Sequence, residues 1–316
     1  MKYIITDRRC GLGDAILNLA GSWFIAKKHG MDVIIDWRRL PYTIQDYDSY
    51  HRHHINLYNS IFQLPPEIEG VNFHLPEEFP SLYLGPKTED GHPYDTDHLP
   101  VLDQDAKEAG NVEAILNSGS FIRTSMRFGQ ANKYYPQLRR INSFNFNYWS
   151  FFNQLPLNSS IKQRFKAVTD KYIKPNTVAI HFRHGNGETI MGRGANWVSC
   201  EDGVKTIKKE AKKFLGNQWD QCDFLIFSDT PLGEKLLLEE FPNSVATPKT
   251  LPEEGSGGVH FDTSLNPIVS FQDSIIDMLL MTKCNKIMYT QHSTFSLPAR
   301  MNKPDDNQHM LFQIQK

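Results

Sequence analysis

Apolar and polar positions alternate in blocks along the second half of this chain. Residues 177–182 (TVAIHF), 223–227 (DFLIF) and 286–289 (KIMY) are short apolar runs of the kind that form buried strands. Residues 201–215 and 271–282 place apolar side chains at helical spacing. Strands that alternate with helices predict a parallel sheet with helices on both faces, an α/β fold.

The first half opens on the same pattern. A strand at residues 2–6 is followed by a glycine-containing loop, an amphipathic helix over about 14–29 and a strand at 33–36. The loop has Gly11 and Gly13, but it lacks the third glycine of the dinucleotide-binding fingerprint and the lysine of a phosphate-binding loop. We interpret the two glycines as a tight turn that lets helix and strand pack closely.

The middle of the chain has few periodic runs. Residues 40–110 are rich in Pro, His, Tyr and Asp, which predicts loops and short helices over the first sheet. Residues 119–128 predict a strand with basic side chains, and the aromatic run at 144–156 predicts a packed element between two domains.

The length of 316 residues favours two domains. A predicted helix at 160–172 ends shortly before Pro175, a residue that cannot continue a helix. We place the boundary near 155–175 and predict an N-terminal domain at 1–160 and a C-terminal domain at 161–316.

Composition excludes several classes of protein. A formal net charge of -2 gives no nucleic-acid signature, and no apolar run reaches the length of a membrane span or a signal sequence. The four cysteines are scattered without metal or redox spacing, which predicts core packing. The sequence therefore predicts a cytoplasmic protein without a transmembrane segment.

Three short acidic patterns match the DxD motif of metal-dependent sugar-nucleotide enzymes. They are Asp46-Tyr47-Asp48, Asp95-Thr96-Asp97 and Asp103-Gln104-Asp105. None follows a clear strand, and three matches in one acidic region favour coincidence. We predict solvated loops there and no metal site.

Three polar clusters each follow a predicted parallel strand. They are residues 181–188 (HFRHGNGE), 228–230 (SDT) and 290–296 (TQHSTFS). The carboxyl ends of parallel strands meet at one edge of a sheet, so these side chains should converge. Arginine, hydroxyl and aspartate groups suit a nucleotide diphosphate held without a metal. A core histidine is an equally good interpretation of His181 at this point.

The first of these clusters also resembles a known motif. Residues 181–188, followed by Ile190-Met191-Gly192, are similar to the donor-site motif of the bacterial nodulation-factor α1,6-fucosyltransferases, a family that shares a superfamily with the eukaryotic core α1,6-fucosyltransferases. Arg8-Arg9 with the residues through Asp14, and Ile35-Asp36-Trp37-Arg38, resemble the first domain of that family. Eukaryotic relatives carry a second arginine where this chain has His184.

The resemblance implies a GT-B fold, in which two Rossmann-like domains face a cleft, and a transferase that uses GDP-fucose without a metal or other cofactor. Arg183 would bind the diphosphate and stabilise the departing GDP, while Asp229 would bind the guanine or its ribose. The remaining residues that the resemblance assigns to the donor are His181, His184, Asn186, Ser293, Thr294, Phe295 and Ser296.

The same resemblance puts the acceptor against the first domain, with Arg8, Arg9, Gly11, Gly13 and Arg38 at the edge of the cleft. Glu188 is the candidate base for the acceptor hydroxyl. The expected acceptor is an oligosaccharide or glycolipid, modified at the 6-hydroxyl of a GlcNAc-type sugar. No residue distinguishes fucose from another GDP-linked sugar, so fucose follows from the family alone.

Two rival functions are open. Arg183-His184-Gly185 also fits the phosphohistidine motif of histidine phosphatases, although that motif normally lies at the start of a chain. A non-catalytic GDP-sugar-binding protein would carry the same donor residues and transfer nothing.

Overall fold

The computed structural model describes residues 1–316 with gaps at Asp7, Arg9, Arg39, 41–55, 83–98, Gln104, 106–109, 128–140, 186–197, 255–258, 260–264, His292, Pro304 and 315–316; for residues 81 and 141–147 it describes only the backbone. The chain divides into two compact units, Met1–Asn158 and Ser159–Lys316, against a predicted boundary after residue 160.

The first unit contains α1 (Leu12–His29), α2 (Tyr58–Ile61), α3 (Val112–Asn117) and α4 (Ile141–Gln154), with strands β1 (Tyr3–Thr6), β2 (Asp32–Ile34), β3 (Glu67–Ile68), β4 (Val71–His74), β5 (Val101–Leu102) and β6 (Phe121–Thr124). The second unit contains α5 (Ser159–Tyr172), α6 (Cys200–Leu215), α7 (Pro231–Glu240), α8 (Pro267–Lys283) and α9 (Leu297–Met301), with strands β7 (Thr177–Phe182), β8 (Asp223–Ser228), β9 (Ser244–Ala246), β10 (Lys286–Thr290) and β11 (His309–Phe312). Short 3₁₀ turns lie at Pro76–Glu78, Pro80–Leu82 and Gly216–Gln221.

The sheet of the first unit has the strand order β3-β4-β2-β1-β6-β5 and is parallel except for β3, which runs antiparallel to β4. The chain leaves β1 for β2 on one side and later returns to β6 on the other. Open α/β sheets bind ligands at such a reversal of strand order. Ile4 and Ile5 are fully buried at the centre of this sheet.

Two predictions for the first unit need correction. Helix α1 begins at Leu12 with Gly11 as its N-cap in extended conformation, so Gly13 lies inside the first turn and not in the preceding loop. The aromatic run predicted to lie between domains forms α4 within the first unit, where Phe151 stacks on Trp23 and lies near Phe73. Burial of these rings supplies core area that the short strands lack.

The sheet of the second unit has the strand order β11-β10-β7-β8-β9 and is parallel throughout its described strands. This is the order of a doubly wound Rossmann sheet, and the order reverses between β7 and β10. Every residue of β7 is buried, in agreement with its apolar sequence. The parallel α/β sheet predicted from alternating strands and helices is confirmed.

Tight packing places the start of α7 against the ends of β7 and β8. Thr230 caps the helix by accepting a hydrogen bond from Gly233 N, and Pro231 occupies the first turn. A Cβ atom at Gly233 would lie 2.7 Å from Ser228 Oγ and 2.9 Å from the Phe182 ring. Only glycine fits at this approach, so the helix start is fixed relative to both strands.

Cys200, Cys222 and Cys284 are buried free thiols, and Cys10 is a half-buried one. Among the described helices, none combines the length and apolar content that crossing a bilayer requires. The described residues contain no group of three or more His, Cys, Asp or Glu side chains placed to bind a metal ion. Two of the acidic DxD patterns, 46–48 and 95–97, lie outside the described residues, as does Gln104 of the third.

Candidate functional site

The strand order of the second unit reverses between β7 and β10. Thr290, the last residue of β10, joins these two strands through two hydrogen bonds. Its Oγ1 accepts a hydrogen bond from Arg183 N at 2.9 Å and donates to His181 O at 3.2 Å. The backbone of β7 is thereby held to β10 at the point where Arg183 leaves the sheet. Arg183 is half-buried and lies where a ligand of a parallel sheet would bind.

His181 lies in a buried and electropositive environment. His181 is 5% exposed, and its imidazole packs at a tilt on the Phe295 ring, with 5.3 Å between the ring centroids. Nδ1 is buried and has no hydrogen-bond partner among the described residues. Burial, reinforced by the charges of Arg183 and Lys249, lowers the pKa of His181 to about 3. The imidazole is therefore neutral at physiological pH.

This pKa makes a prediction for stability. His181 stays neutral in the folded chain down to pH of about 3, whereas in the unfolded chain it takes up a proton below its ordinary pKa of 6.5. As pH falls from 6.5 toward 3, the unfolded state binds more protons and folding weakens, by up to about 1.4 kcal/mol per pH unit. His181→Gln should remove this part of the slope in urea unfolding measured at several pH values; parallel slopes for both proteins would disprove the assignment.

Asp229, which follows β8, holds the loop that leaves β7. Its Oδ1 accepts hydrogen bonds from His184 N at 2.8 Å and from Gly185 N at 3.1 Å. Its Oδ2 is buried and has no hydrogen-bond donor in the described part of the chain. One oxygen thus shapes the loop, and the other is an acceptor that a ligand N–H or O–H group can satisfy.

His184 is 5% exposed, and its ring stacks on Phe182 with 5.4 Å between centroids. Its Nε2 lies 3.0 Å from Val198 O, which makes Nε2–H the donor and fixes the ring. A phosphohistidine nucleophile needs an accessible ring nitrogen with a free lone pair. The position of His184 therefore favours support of the loop over attack on phosphorus.

The third predicted cluster folds as a compact turn before α9. Ser293 N donates to Thr290 O at 3.3 Å, and Ser296 Oγ donates to Ser293 O at 3.3 Å. Leu297 N, the first amide of α9, donates to Thr294 O at 3.3 Å. The Ser293 hydroxyl is buried without a hydrogen-bond partner among described residues, so it is a further polar group at this edge.

A buried ionic group at the carboxyl ends of β8 and β9 was missed by the sequence prediction. Lys249 Nζ lies 2.8 Å from Asp277 Oδ2 and 3.7 Å from Glu234 Oε2. Asp277 is a lone charge within the apolar run of α8, a signal that the sequence offered. Lys249 follows a short edge strand and gave no such signal.

In the first unit, Arg8 and Arg38 lie at the carboxyl edge of the sheet. Arg8 Nη1 donates to Ser125 O at 2.6 Å, beyond the end of β6. Arg38 is 4% exposed, and its Nε and Nη2 each lie 2.8 Å from an oxygen of Asp36. This bidentate pair favours a supporting role for Arg38 over direct contact with a ligand. Arg9, Asn186 and Glu188 lie outside the described residues.

A family model described as Nodulation protein Z (NodZ) matches residues 147–306, which include β7, β8, β10 and all three polar clusters. The chain belongs to the NodZ family. Histidine phosphatases are a different class, so family membership and the burial of His184 together argue against the phosphatase hypothesis. Residues 181–184, 229 and 293–296 all fall within the region that the family model matches.

Individual relatives extend the similarity beyond that region. The chain is 24% identical to Nodulation protein Z of Azorhizobium caulinodans over 93% of this chain and 87% of the relative. It is also 24% identical to Nodulation protein Z of Bradyrhizobium diazoefficiens, over 96% of this chain and 80% of the relative.

Solved structures share the fold. A crystal structure of NodZ alpha-1,6-fucosyltransferase soaked with GDP-fucose matches with a TM-score of 0.62 and 17% identity, covering 96% of this chain and 93% of that chain. Arabidopsis thaliana FUT1 in complex with GDP matches with a TM-score of 0.56 and 13% identity, covering 99% of this chain and 70% of that chain. The predicted GT-B fold class is confirmed.

Proposed function

We propose that this chain is a glycosyltransferase that moves fucose from GDP-fucose to a hydroxyl group of a glycan. The observation that carries the proposal is the position of Arg183 and His181 at the reversal of strand order, inside the region that matches the NodZ family. A crystal structure of NodZ alpha-1,6-fucosyltransferase with the same fold was soaked with GDP-fucose, and another was co-crystallised with GDP.

Arg183 binds the diphosphate of the donor. A guanidinium gives a permanent positive charge and paired N–H donors that match phosphate oxygens. The backbone of Arg183 is held by Thr290, so the guanidinium is anchored close to a rigid strand. Negative charge grows on the β-phosphate as the sugar leaves, and Arg183 stabilises it in the place that a metal ion fills in other transferases.

The other donor residues complete the site around Arg183. Neutral His181 adds no charge and can share a hydrogen bond with the donor through its ring nitrogens. Asp229 Oδ2 accepts from the guanine or the ribose, and the Ser293 hydroxyl donates to a phosphate oxygen. Both of these atoms are buried without a partner in the described part of the chain, which is costly unless a ligand satisfies them.

The transfer inverts the anomeric carbon. A base removes the proton of the acceptor hydroxyl, the hydroxyl oxygen attacks the anomeric carbon, and the bond to the β-phosphate oxygen breaks with its electron pair on GDP. Glu188 is our candidate for the base, and we assign His184 and Asn186 to the donor site. Neither a metal nor another cofactor takes part.

The acceptor binds the first unit. Arg8 lies beyond the end of β1, Gly11 and Gly13 lie at the start of α1, and the pair of Arg38 with Asp36 supports the same edge of the sheet. We assign Arg8 and Arg9 to the acceptor, because guanidinium groups donate hydrogen bonds to sugar hydroxyls. The acceptor is an oligosaccharide or glycolipid, with transfer to the 6-hydroxyl of a GlcNAc-type sugar. In this proposal the second unit binds the donor and the first unit binds the acceptor.

Nucleotide selectivity tests the donor. GDP should raise the melting temperature of the protein more than UDP or ADP at equal concentration, because ligand binding to the folded state stabilises it. EDTA should leave the GDP effect unchanged, since Arg183 takes the role of a metal. A larger shift with UDP, or a GDP effect that EDTA abolishes, would contradict the proposal.

A further inference from the structure

Lys249 is a buried cation that has none of the roles described above. It follows β9, and its side chain is 7% exposed. Its ammonium lies between Asp277 on α8 and Glu234 in the first turn of α7. Thr247 Oγ1 donates to the second oxygen of Asp277 at 2.7 Å. The segment after β9 is therefore joined to both neighbouring helices through Asp277 and Glu234.

This group lies next to the donor residues, because Glu234 stands in the first turn of α7 and the N-cap of that helix, Thr230, directly follows Asp229. The charge of Lys249 contributes to the lowered pKa of His181, and the carboxylate of Asp229 is among the charges that act on Lys249. The charged and titratable groups that face one another here come from β7, the β8 exit, α7, the β9 exit and α8. They are His181, Arg183, Asp229, Glu234, Lys249 and Asp277.

Lys249 and its two carboxylate partners depend on one another. Burial by itself would lower the pKa of Lys249, but Asp277 and Glu234, with a contribution from Asp229, outweigh it and hold that pKa above its ordinary value. Burial raises the pKa of Glu234, with repulsion from Asp277 acting in the same direction, while Lys249 opposes the rise. Removal of Lys249 would leave the buried Asp277 and the half-buried Glu234 without the cation that they share.

We propose that Lys249 is a positioning residue of the donor site, whose buried ammonium, anchored by Asp277, holds Glu234 in place beside Asp229. Both oxygens of Asp277 are occupied by Thr247 and Lys249, so Asp277 serves as the anchor of Lys249. Glu234 Oε2, like Asp229 Oδ2, has no hydrogen-bond partner among the described residues, and these two oxygens are the acceptors for the N–H and O–H groups of the nucleotide. Lys249 acts through these carboxylates and does not touch the reacting atoms. The inference rests on the proposed function, because it takes GDP as the nucleotide.

Lys303 provides a matched control in the same unit. It is a second buried lysine, 5% exposed, and its Nζ donates to Met281 O and Thr282 O at 3.5 and 3.2 Å, at the end of α8. Its described hydrogen bonds are to backbone carbonyls only. Lys303→Met therefore removes a buried lysine without touching the carboxylates of the donor site.

The experiment measures the dissociation constant of GDP by calorimetry at about pH 6 and pH 8.5, values that bracket the range in which raised carboxylate pKa values fall. The wild-type protein and Lys303→Met should bind GDP with similar constants at both pH values. Lys249→Met should bind about 10-fold or more weakly at pH 6 and recover part of the loss at pH 8.5, because Glu234, whose pKa burial raises, loses the cation that opposes that rise.

Two further variants keep the test decisive if Lys249→Met folds poorly. Lys249→Gln keeps a donor for Asp277 but removes the charge, and it should show the same pH-dependent loss. Lys249→Arg restores the charge and should return GDP binding to pH independence. Wild-type affinity in Lys249→Gln, or an equal loss at both pH values, would overturn the positioning role. Failure of the wild-type protein to bind GDP would instead overturn the proposed donor, and the inference with it.

Discussion

Arg183→Ala should reduce kcat/KM for GDP-fucose by about 10²–10³-fold, the cost of removing one donor that stabilises developing charge. The change should also abolish the rise in melting temperature that GDP produces. The fold should survive, because the hydrogen bond to Thr290 comes from the backbone of residue 183 and does not need its side chain. Arg183→Lys should keep part of the activity, since it retains the charge but not the paired N–H donors.

Arg164 is the matched control for this change. It lies on α5 in the same unit and pairs with Asp273 on α8, outside the three polar clusters. Arg164→Ala removes a guanidinium from the same unit and should leave the GDP response intact. A normal GDP response in Arg183→Ala, or an equal loss in Arg164→Ala, would refute the assignment of the diphosphate to Arg183.

Asp229→Ala should cause the second largest effect, on stability and donor binding together. It removes the acceptor of His184 N and Gly185 N, two partly buried donors that then lack a partner. We expect a loss of about 1–3 kcal/mol in the free energy of unfolding, measured by urea denaturation. The loop that starts at Arg183 would also lose its support, so GDP binding should fall.

Asp229→Asn separates these two effects. The asparagine carbonyl can still accept from both loop amides, so stability should stay near that of the wild-type protein. Its amide nitrogen would replace Oδ2, an acceptor that we assign to the nucleotide, and GDP affinity should still fall. Unchanged GDP affinity in Asp229→Asn would show that Oδ2 does not contact the nucleotide.

The second unit was the more predictable part of the fold. The strand at residues 177–182 was predicted with the bounds that the structure has, because its apolar run is buried on both faces of a parallel sheet. Helix α6 was predicted to within one residue, since its apolar side chains repeat at helical spacing. β9 and β11 were not predicted. Both are short edge strands with half-exposed residues, which leave little apolar pattern.

The first unit was less predictable, because one of its strands pairs over a long sequence separation and its aromatic helix has an apolar face made of large rings. Strand β4 lies in the region predicted as loops and short helices, and its Phe73 and His74 pair with β2 through contacts distant in sequence. The aromatic run at 144–156 did carry a helical signal: Tyr148, Phe151, Phe152 and Leu155 are buried and recur at spacings of three and four. This spacing predicts a helix with one buried face, as α4 has, whereas the density of aromatic residues alone does not distinguish a helix from other packed elements.

Part of the candidate site could be predicted from the sequence, and part could not. Strand ends and residue types were sufficient to bring His181, Arg183 and Asp229 to one edge of a sheet. The sequence could not show that one oxygen of Asp229 holds the loop amides, or that Arg38 is buried against Asp36. Lys249 acquires its environment only when α7, α8 and the end of β9 meet. Such contacts depend on tertiary packing, which a linear pattern does not contain.

The most direct test of the account is a donor screen followed by mass spectrometry. The protein is incubated with GDP-fucose, GDP-mannose or UDP-sugars over a panel of chitin oligosaccharides and other glycans that end in GlcNAc-type sugars. The account predicts an acceptor product heavier by one deoxyhexose with GDP-fucose, no product with UDP-sugars, and loss of the product in Arg183→Ala. Transfer from a UDP-sugar, or consumption of GDP-fucose that Arg183→Ala leaves unchanged, would contradict it.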